Sequence, residues 1–306
     1  MSSSFPLLRL PGLVLFDVFK SLRIGEKIKL SLCSKKTSTQ INNAQFYSQK
    51  VIVDLDMLSH KIRVCSKNNQ DIFEIFTYQD SGKILNNTHQ LPIECCTTGI
   101  KTFWKNDQEG FLSVIQHLLK IFRCKISISD NYDSDLYQPT ISMLFDRQVE
   151  FKKLTICLDG SEDGKLLWNQ ISSNFELVEY LTIVSLSNPG FNPVFTSWPR
   201  NISFISSEWV TLESLLACTC TTIKLDWSDF GNKDLDEILK KWKTGGFSNL
   251  KRLVISSQNI KNNGELILGM NLMELNGKII QADDVLKKST IRIDSHIQTT
   301  LYMHIK

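Results

Sequence analysis

The stretch LTICLDGSEDGKLLW, Leu154 to Trp168, places two glycines and a lysine between an apolar run and an amphipathic one. That is the general arrangement by which a loop cradles phosphate. The details depart from it. Gly160 and Gly164 stand one residue too close, Leu166 occupies the place of the hydroxyl that would hold magnesium, and Glu162 and Asp163 would repel a phosphate. The stretch therefore reads as a solvated turn. Asp229-Phe230-Gly231 spells the metal-binding triplet of protein kinases, but neither a catalytic-loop motif nor a glycine-rich loop accompanies it. It reads as a turn before a helix. His60, His89, His117, His296 and His304 stand far apart and have no HExxH spacing. Cys95-Cys96 and Cys218-x-Cys220 lack the second pair a zinc site needs, and neighbouring residues of a strand point to opposite faces. No nucleophile triad or carboxylate pair is identifiable by motif. The expectation is a chain with no catalytic residue, no metal and no cofactor.

Composition narrows the remaining classes. The chain has 306 residues, 42% hydrophobic and 22% charged, enough for a sizeable core and about two domains. A net charge of +3 is too small to argue nucleic-acid binding. Trp209, Trp227 and Trp242 lie in apolar patterns and read as core rather than as base-stacking platforms. No apolar run reaches the ~18 residues that span a bilayer. Arg9, Pro11 and Asp17 interrupt the apolar start, against a signal peptide. The 8 cysteines lack framework spacing, which fits reduced thiols and a cytoplasmic or nuclear setting. Sequons at Asn86 and Asn201 carry little weight without a secretory signal. Charge is uneven: residues 1–50 hold eight basic against two acidic side chains, which suits an acidic partner.

The N-terminal elements explain that excess of apolar residues only in part. Pro11 suits a first helical turn, and Val14, Val18 and Leu22 recur at four-residue steps beside Leu15 and Phe19. Gly25 is expected to break the pattern, EKIKLSLCS to form a second helix, and Ser34 to cap a third running through KKTSTQINNAQFY. Three short helices cannot bury all of Leu7, Leu8, Leu10, Leu13, Val14, Leu15, Phe16, Val18 and Phe19 by themselves. Something else must cover part of that surface. The stretch FPLLRLPGLVLFDVFKSLRIGEKIKLSLCSKKTSTQI resembles an F-box, through Phe5-Pro6-Leu7-Leu8, Leu10-Pro11, Val14, Val18, Phe19, Leu22, Ile28, Leu32 and the Cys33-Ser34-Lys35 turn. It departs from the F-box pattern at Gly12-Leu13, where acidic residues are usual, and at Thr37, where many members carry Trp. The resemblance implies a three-helix module that docks the Skp-family adaptor of a cullin–RING ligase, with Leu10, Pro11, Val14, Val18, Leu22, Ile28 and Leu32 binding the adaptor.

Further along, KIRVCSKNNQDIFEIFTYQ reads as a hairpin turning at Asn68-Asn69, and Asp80 to Thr98 as loop. EGFLSVIQHLLKIF reads as a helix with Leu112, Ile115, Leu119 and Phe122 on one face, followed by the strand CKISIS. A short pattern then recurs every 21 to 30 residues: Ile126-x-Ile128, Leu154-x-Ile156, Leu181-x-Ile183, Ile202-x-Phe204, Ile223-x-Leu225 and Leu253-x-Ile255. One strand plus one helix per period predicts irregular leucine-rich-repeat-like stacking, the alternative being an ordinary α/β sheet. The positions Ser127, Thr155, Thr182, Ser203, Lys224 and Val254 would then share the opposite strand face. NKDLDEILKKWKTGG predicts a helix with Leu235, Ile238, Leu239 and Trp242 buried, stopped at Gly245-Gly246. GKIIQA, STIRID and TTLYMHIK read as short antiparallel strands closing the end.

The region SEWVTLESLLACTCTTIKLDWSDFGNKDLDEILKKWKTGGFSNLKRLVI resembles the F-box-associated domain (type 2), through Trp209, Leu212, Leu215-Leu216, Ile223-x-Leu225, Ser228, Asp234-Leu235, Trp242, Gly245 and Leu250-Lys251-x-Leu253. The expected architecture is α/β: a three-helix F-box over 1–48, and an irregular leucine-rich-repeat-like domain over 49–306 ending in short strands. The resemblance implies a substrate-recognition subunit of an SCF-type ubiquitin ligase that binds an undetermined protein target, but neither nucleic acid nor membrane. A non-catalytic binding module whose F-box no longer engages the ligase is the alternative.

Overall fold

The computed structural model describes residues 10–44, 51–66, 70–80, 93–96, 99–129, 132–185, 193–283 and 286–306. Phe5 to Arg9, Asn68-Asn69, Asn86, His89 and the expected domain boundary after residue 48 lie outside these. The chain is mixed α/β and divides into two compact units, 1–141 and 142–306.

The first unit opens with α1 (Gly12–Ser21), α2 (Ile24–Cys33) and α3 (Lys35–Ala44). Pro11 stands at the N-terminal boundary of α1, where its carbonyl accepts from Leu15 N–H at 3.0 Å. Ser34 caps α3 as expected, accepting from Lys36 N at 3.2 Å and Thr37 N at 3.4 Å. Gly25 does not break the helical pattern. The break falls at Leu22-Arg23, and Gly25 is the second residue of α2. The next strands are β1 (Val51–Asp56), β2 (Lys61–Ser66), β3 (Ile72–Gln79), β4 (Ile93–Cys96) and β5 (Gly99–Trp104), followed by α4 (Asp107–Ile121) and β6 (Cys124–Ile128). Their sheet order is β4-β5-β3-β2-β1-β6. β2 and β3 form the predicted antiparallel hairpin, while β1–β6 and β3–β5 are parallel. The expectation of loop from Asp80 to Thr98 fails at β4, which pairs antiparallel with β5. In α4 the buried stripe is Phe111, Ile115, Leu118 and Ile121, with Leu112 and Leu119 only half-buried. Apolar residues on both sides of the stripe made its centre ambiguous by one position.

α5 (Tyr137–Asp146) spans the division in the chain. The second unit then alternates β7 (Phe151–Leu158), α6 (Glu162–Ile171), β8 (Tyr180–Ser185), β9 (Asn201–Ile205), α7 (Leu212–Leu216), β10 (Thr222–Ser228), α8 (Asn232–Lys243) and β11 (Arg252–Ser257). α9 (Leu272–Leu275), β12 (Ile279–Gln281), β13 (Lys288–Ser295) and β14 (Thr299–Ile305) complete it. Its sheet order is β7-β8-β9-β10-β11-β14-β13-β12, parallel up to β11 and antiparallel beyond, as the three terminal strands predict. The recurring pattern stacks in register. Leu154 pairs with Leu181, Leu181 with Ile202, Ile202 with Ile223 and Ile223 with Leu253; Ile156, Ile183, Phe204, Leu225 and Ile255 form the parallel row. All ten side chains are buried. α8 buries Leu235, Ile238, Leu239 and Trp242, and Gly245 at φ 90° ends its run. Asn201 is buried, and its side-chain amide donates to Glu179 O at 2.9 Å, so this sequon is structural.

α2 seats on β2 and β3, and α3 packs on α4. A Cβ at Gly25 would enter the Phe73 ring, so glycine sets this approach. Gly25→Ala is expected to cost about 1–3 kcal/mol through overpacking. A denaturant midpoint unchanged from wild type would show that α2 does not bear on Phe73.

Candidate protein-docking sites

α1 presents two faces. Leu15 and Phe19 are buried against Ile41 and Ala44 of α3, with Leu10, Phe16, Leu22 and Leu30 packed around them. On the other flank, Pro11 is exposed, Leu13 is 84% exposed and Val14 is 47% exposed. Val18 lies one turn beyond Val14 and is half-buried. Of the residues expected to bind an adaptor, Pro11, Val14 and Val18 thus share a flank. Leu10 and Leu22 lie at its edge, partly engaged by the helical core. Ile28 is buried at 1% exposure, and with Leu32 it lines a cavity between α2, the sheet and α4. These two face inward because α2 lies on the sheet rather than beside α1 alone. Leu13 is among the apolar residues that the three helices cannot bury, although it marks a departure from the F-box pattern.

The seat of α2 is polar at its start. Asp71, just before β3, accepts from Ile24 N–H at 2.6 Å, and Glu26 accepts from Arg23 N–H at 2.8 Å. Both carboxylates sit at the positive end of the helix dipole. Lys27 is buried; burial depresses its ammonium pKa, and the Asp71 charge opposes that shift. Farther along, Ser31 Oγ donates to Ile28 O at 2.7 Å and lies 2.7 Å from His117 Nε2 of α4. With the Ser31 proton committed to the helix, His117 donates through Nε2–H.

In the second unit, the apolar rows pack inward, and right-handed crossovers advancing in one direction leave on one face of the sheet. On the other face Lys224 is exposed, while Thr182 and Ser203 are half-buried. Thr155 and Val254 are buried, so the expected row is not uniformly accessible. At the C-terminal ends of β9 and β10 the backbone departs from the strand. Ser206 has φ 60° and Trp227 φ 56°, each two residues beyond its member of the Phe204–Leu225 pair, the last of the β9–β10 register. β10 bulges between Leu225 and Ser228. The Ser207 N–H donates to Asp226 O at 2.9 Å and its hydroxyl donates to the same oxygen at 2.8 Å, locking the bulge. A left-handed Trp costs about 1–3 kcal/mol, and such strain concentrates at functional positions. Trp227 and neighbouring Ile205 are each 41% exposed. The sequence-based assignment of Trp227 to the core is thereby corrected: the bulge turns its side chain out, whereas Trp242 is core as expected.

The chemistry-bearing motifs resolve as structural. Ser161 caps α6, accepting from Gly164 N–H at 3.0 Å, and Asp159 accepts from Ser161 N–H at 2.9 Å. Hydrogen bonds from Ser161 hold the Asp159 carboxyl below its usual range, so the loop keeps a negative charge where a phosphate would sit. Asp229-Phe230-Gly231 joins β10 to α8, with Phe230 buried and Gly231 N–H donating to Asp234 at 2.8 Å. Burial, followed by the Asp54 charge, pushes the Cys65 thiol up to about 11, and burial pushes Cys124 up to about 12. A hydrogen bond with Cys218, then burial, raises Cys220 as well. Protonated thiols of this kind are poor nucleophiles and poor metal ligands. Among the described residues no His, Cys, Asp and Glu side chains gather into a metal-binding group, and no helix is long and apolar enough to cross a membrane.

Comparison with known proteins finds a family match for one segment of the second unit. Residues 190–255 match the family described as F-box associated, a segment that contains the bulge, Trp227 and α8. The E3 ubiquitin-protein ligase hecw-1 of Caenorhabditis elegans is 22% identical over 90% of this chain and 24% of its own length. The uncharacterized protein F59B2.8 of Caenorhabditis elegans is 22% identical over 82% of this chain and 60% of its own length. The chain thus spans about a quarter and three fifths of these two relatives. No solved structure matches.

His117 supplies a pH test of the α2 seat. Burial, and then the Lys120 charge, lowers its pKa below 6.5, so the unfolded chain binds the proton more tightly than the folded one. This group's contribution to stability is complete above 6.5 and falls as pH drops through 6.5 toward the folded value. Denaturant unfolding of wild type and His117→Gln at pH 7.5 and 5.5 should show a smaller acid loss in the variant; equal losses would exclude His117 as a source.

Proposed function

We propose that this chain is the substrate-recognition subunit of an SCF-type E3 ubiquitin ligase. α1 to α3 act as the F-box, and the exposed flank of α1 docks a Skp-family adaptor. The strand face that carries the exposed Lys224, with Trp227 beside it, holds a protein target, and the cullin–RING partner carries out ubiquitin transfer. The chain contributes proximity rather than bond chemistry, raising the target's effective concentration at the ligase. It works in the cytoplasm or nucleus. The observation that carries this reading is the set of solvent-facing apolar side chains, Pro11, Leu13 and Val14, at the start of a helix whose other face buries Leu15 and Phe19. The F-box associated match at residues 190–255 and the ligase name of one relative support it.

The adaptor surface is tested by Leu13→Asp with Val14→Asp, which touches side chains outside the helical core. Fully burying one such anchor is worth roughly 1.5–3 kcal/mol. Titration calorimetry of full-length chain with purified Skp-family adaptor should show at least ~10-fold weaker binding for the double variant. Wild-type chain with no micromolar adaptor binding would favour the alternative, a protein-binding module detached from the ligase.

The target surface is tested by Trp227→Ala. A central aromatic anchor is worth about 2 kcal/mol or more. Proximity labelling in cells under proteasome inhibition should show the variant losing specific neighbours that wild type labels, while adaptor binding stays intact. Identical labelling would exclude Trp227 as an anchor.

A further inference from the structure

The first unit contains a cavity of about 200 Å³. Ile28 and Leu32 of α2 form one wall, Ile75 of β3 and Ile100 of β5 the floor, and Val114 and Leu118 of α4 the opposite wall. Thr102, Trp104, Ser113 and His117 complete the lining, with no Asp, Glu, Lys or Arg among it. Thr102 Oγ1 donates to Phe76 O at 3.1 Å and His117 is paired with Ser31, while the buried indole N–H of Trp104 has no partner among the described residues and is left for an acceptor on a ligand. Burial keeps the imidazole neutral near pH 7. Ser113 is exposed on α4, which puts one end of the cavity at the surface. Protein interiors close-pack and retain few voids larger than a water molecule. An apolar cavity of roughly 150 Å³ elsewhere stays dry and takes up benzene.

We infer that this cavity is a binding site for a small, uncharged, ring-sized apolar molecule. The volume admits a single aromatic ring with a short substituent. The uncharged lining rejects carboxylates, phosphates and amines, because no opposite charge offsets their desolvation. Such a ligand would bridge α2, the sheet and α4, and so brace the helix that seats the N-terminal module. The inference stands on the cavity alone and does not depend on adaptor or target binding.

The test uses the full-length chain with toluene, and with benzoate as the charged counterpart. Toluene should raise the melting temperature in a saturable manner, and benzoate should not. Val114→Phe, which fills the cavity, should abolish the toluene shift. Intermolecular NOEs from the toluene methyl to the Ile75 and Ile100 methyl groups locate the ligand in wild type even if that variant fails to fold. No saturable shift with toluene, equal shifts with both probes, or NOEs to methyl groups elsewhere would overturn the assignment.

Discussion

Two parallel strands cannot be joined by a tight turn; the chain must leave the sheet, cross over and return. In the second unit this constraint acts four times in succession, from β7 to β11, always toward the next free edge. Each return aligns one apolar-x-apolar triplet on the last, so the two buried rows run unbroken across five strands. The right-handed crossovers between them leave on one face of the sheet. On the other face Lys224 is exposed and Thr182 and Ser203 are half-buried, while Thr155 and Val254 are buried. Both the core and the candidate target face follow from this single alternation.

The ladder also locates the strain. Beyond the last β9–β10 pair, Phe204–Leu225, the backbone turns left-handed at Ser206 and at Trp227. Glycine would adopt this conformation freely; here a serine and a tryptophan hold it, fixed by the Ser207 bonds to Asp226. The outcome is a large aromatic presented at the end of a rigid sheet. Rigid presentation lowers the ordering cost of binding. In the first unit the comparable device is α2, tied to the hairpin at Asp71, to Phe73 by Gly25 and to α4 by His117. With α2 anchored, α1 packs on α3 and leaves its far flank to solvent.

Much of this was legible along the chain. The six recurring triplets all lie in strands, Ser34 caps α3, and the helical face of α8 agrees residue by residue. The helix before β6 was placed correctly but its buried stripe was off by one position, because apolar residues flank it on both sides. β4 was missed, since four residues within a polar stretch carry no visible period. Gly25 looked like a helix breaker because glycine does weaken helices; only the ring of Phe73, far along the chain, explains its presence inside one.

The sequence by itself determined the recurring strands of the second unit and the amphipathic helices α4 and α8, that the glycine-rich loop and the Asp-Phe-Gly triplet are turns, and that the N-terminus carries more apolar side chains than it can bury. Those properties depend on local periodicity and on residue chemistry within a few positions. Tertiary structure alone decided which of the apolar side chains near the N-terminus face solvent. Leu13 and Val14 point out while Ile28 points in, since that choice depends on where α2 meets a hairpin some forty residues away. It also decided that Trp227 is exposed and Trp242 buried. Both stand in apolar patterns, but Trp242 lies on the packed face of α8, whereas a bulge in β10 turns Trp227 out.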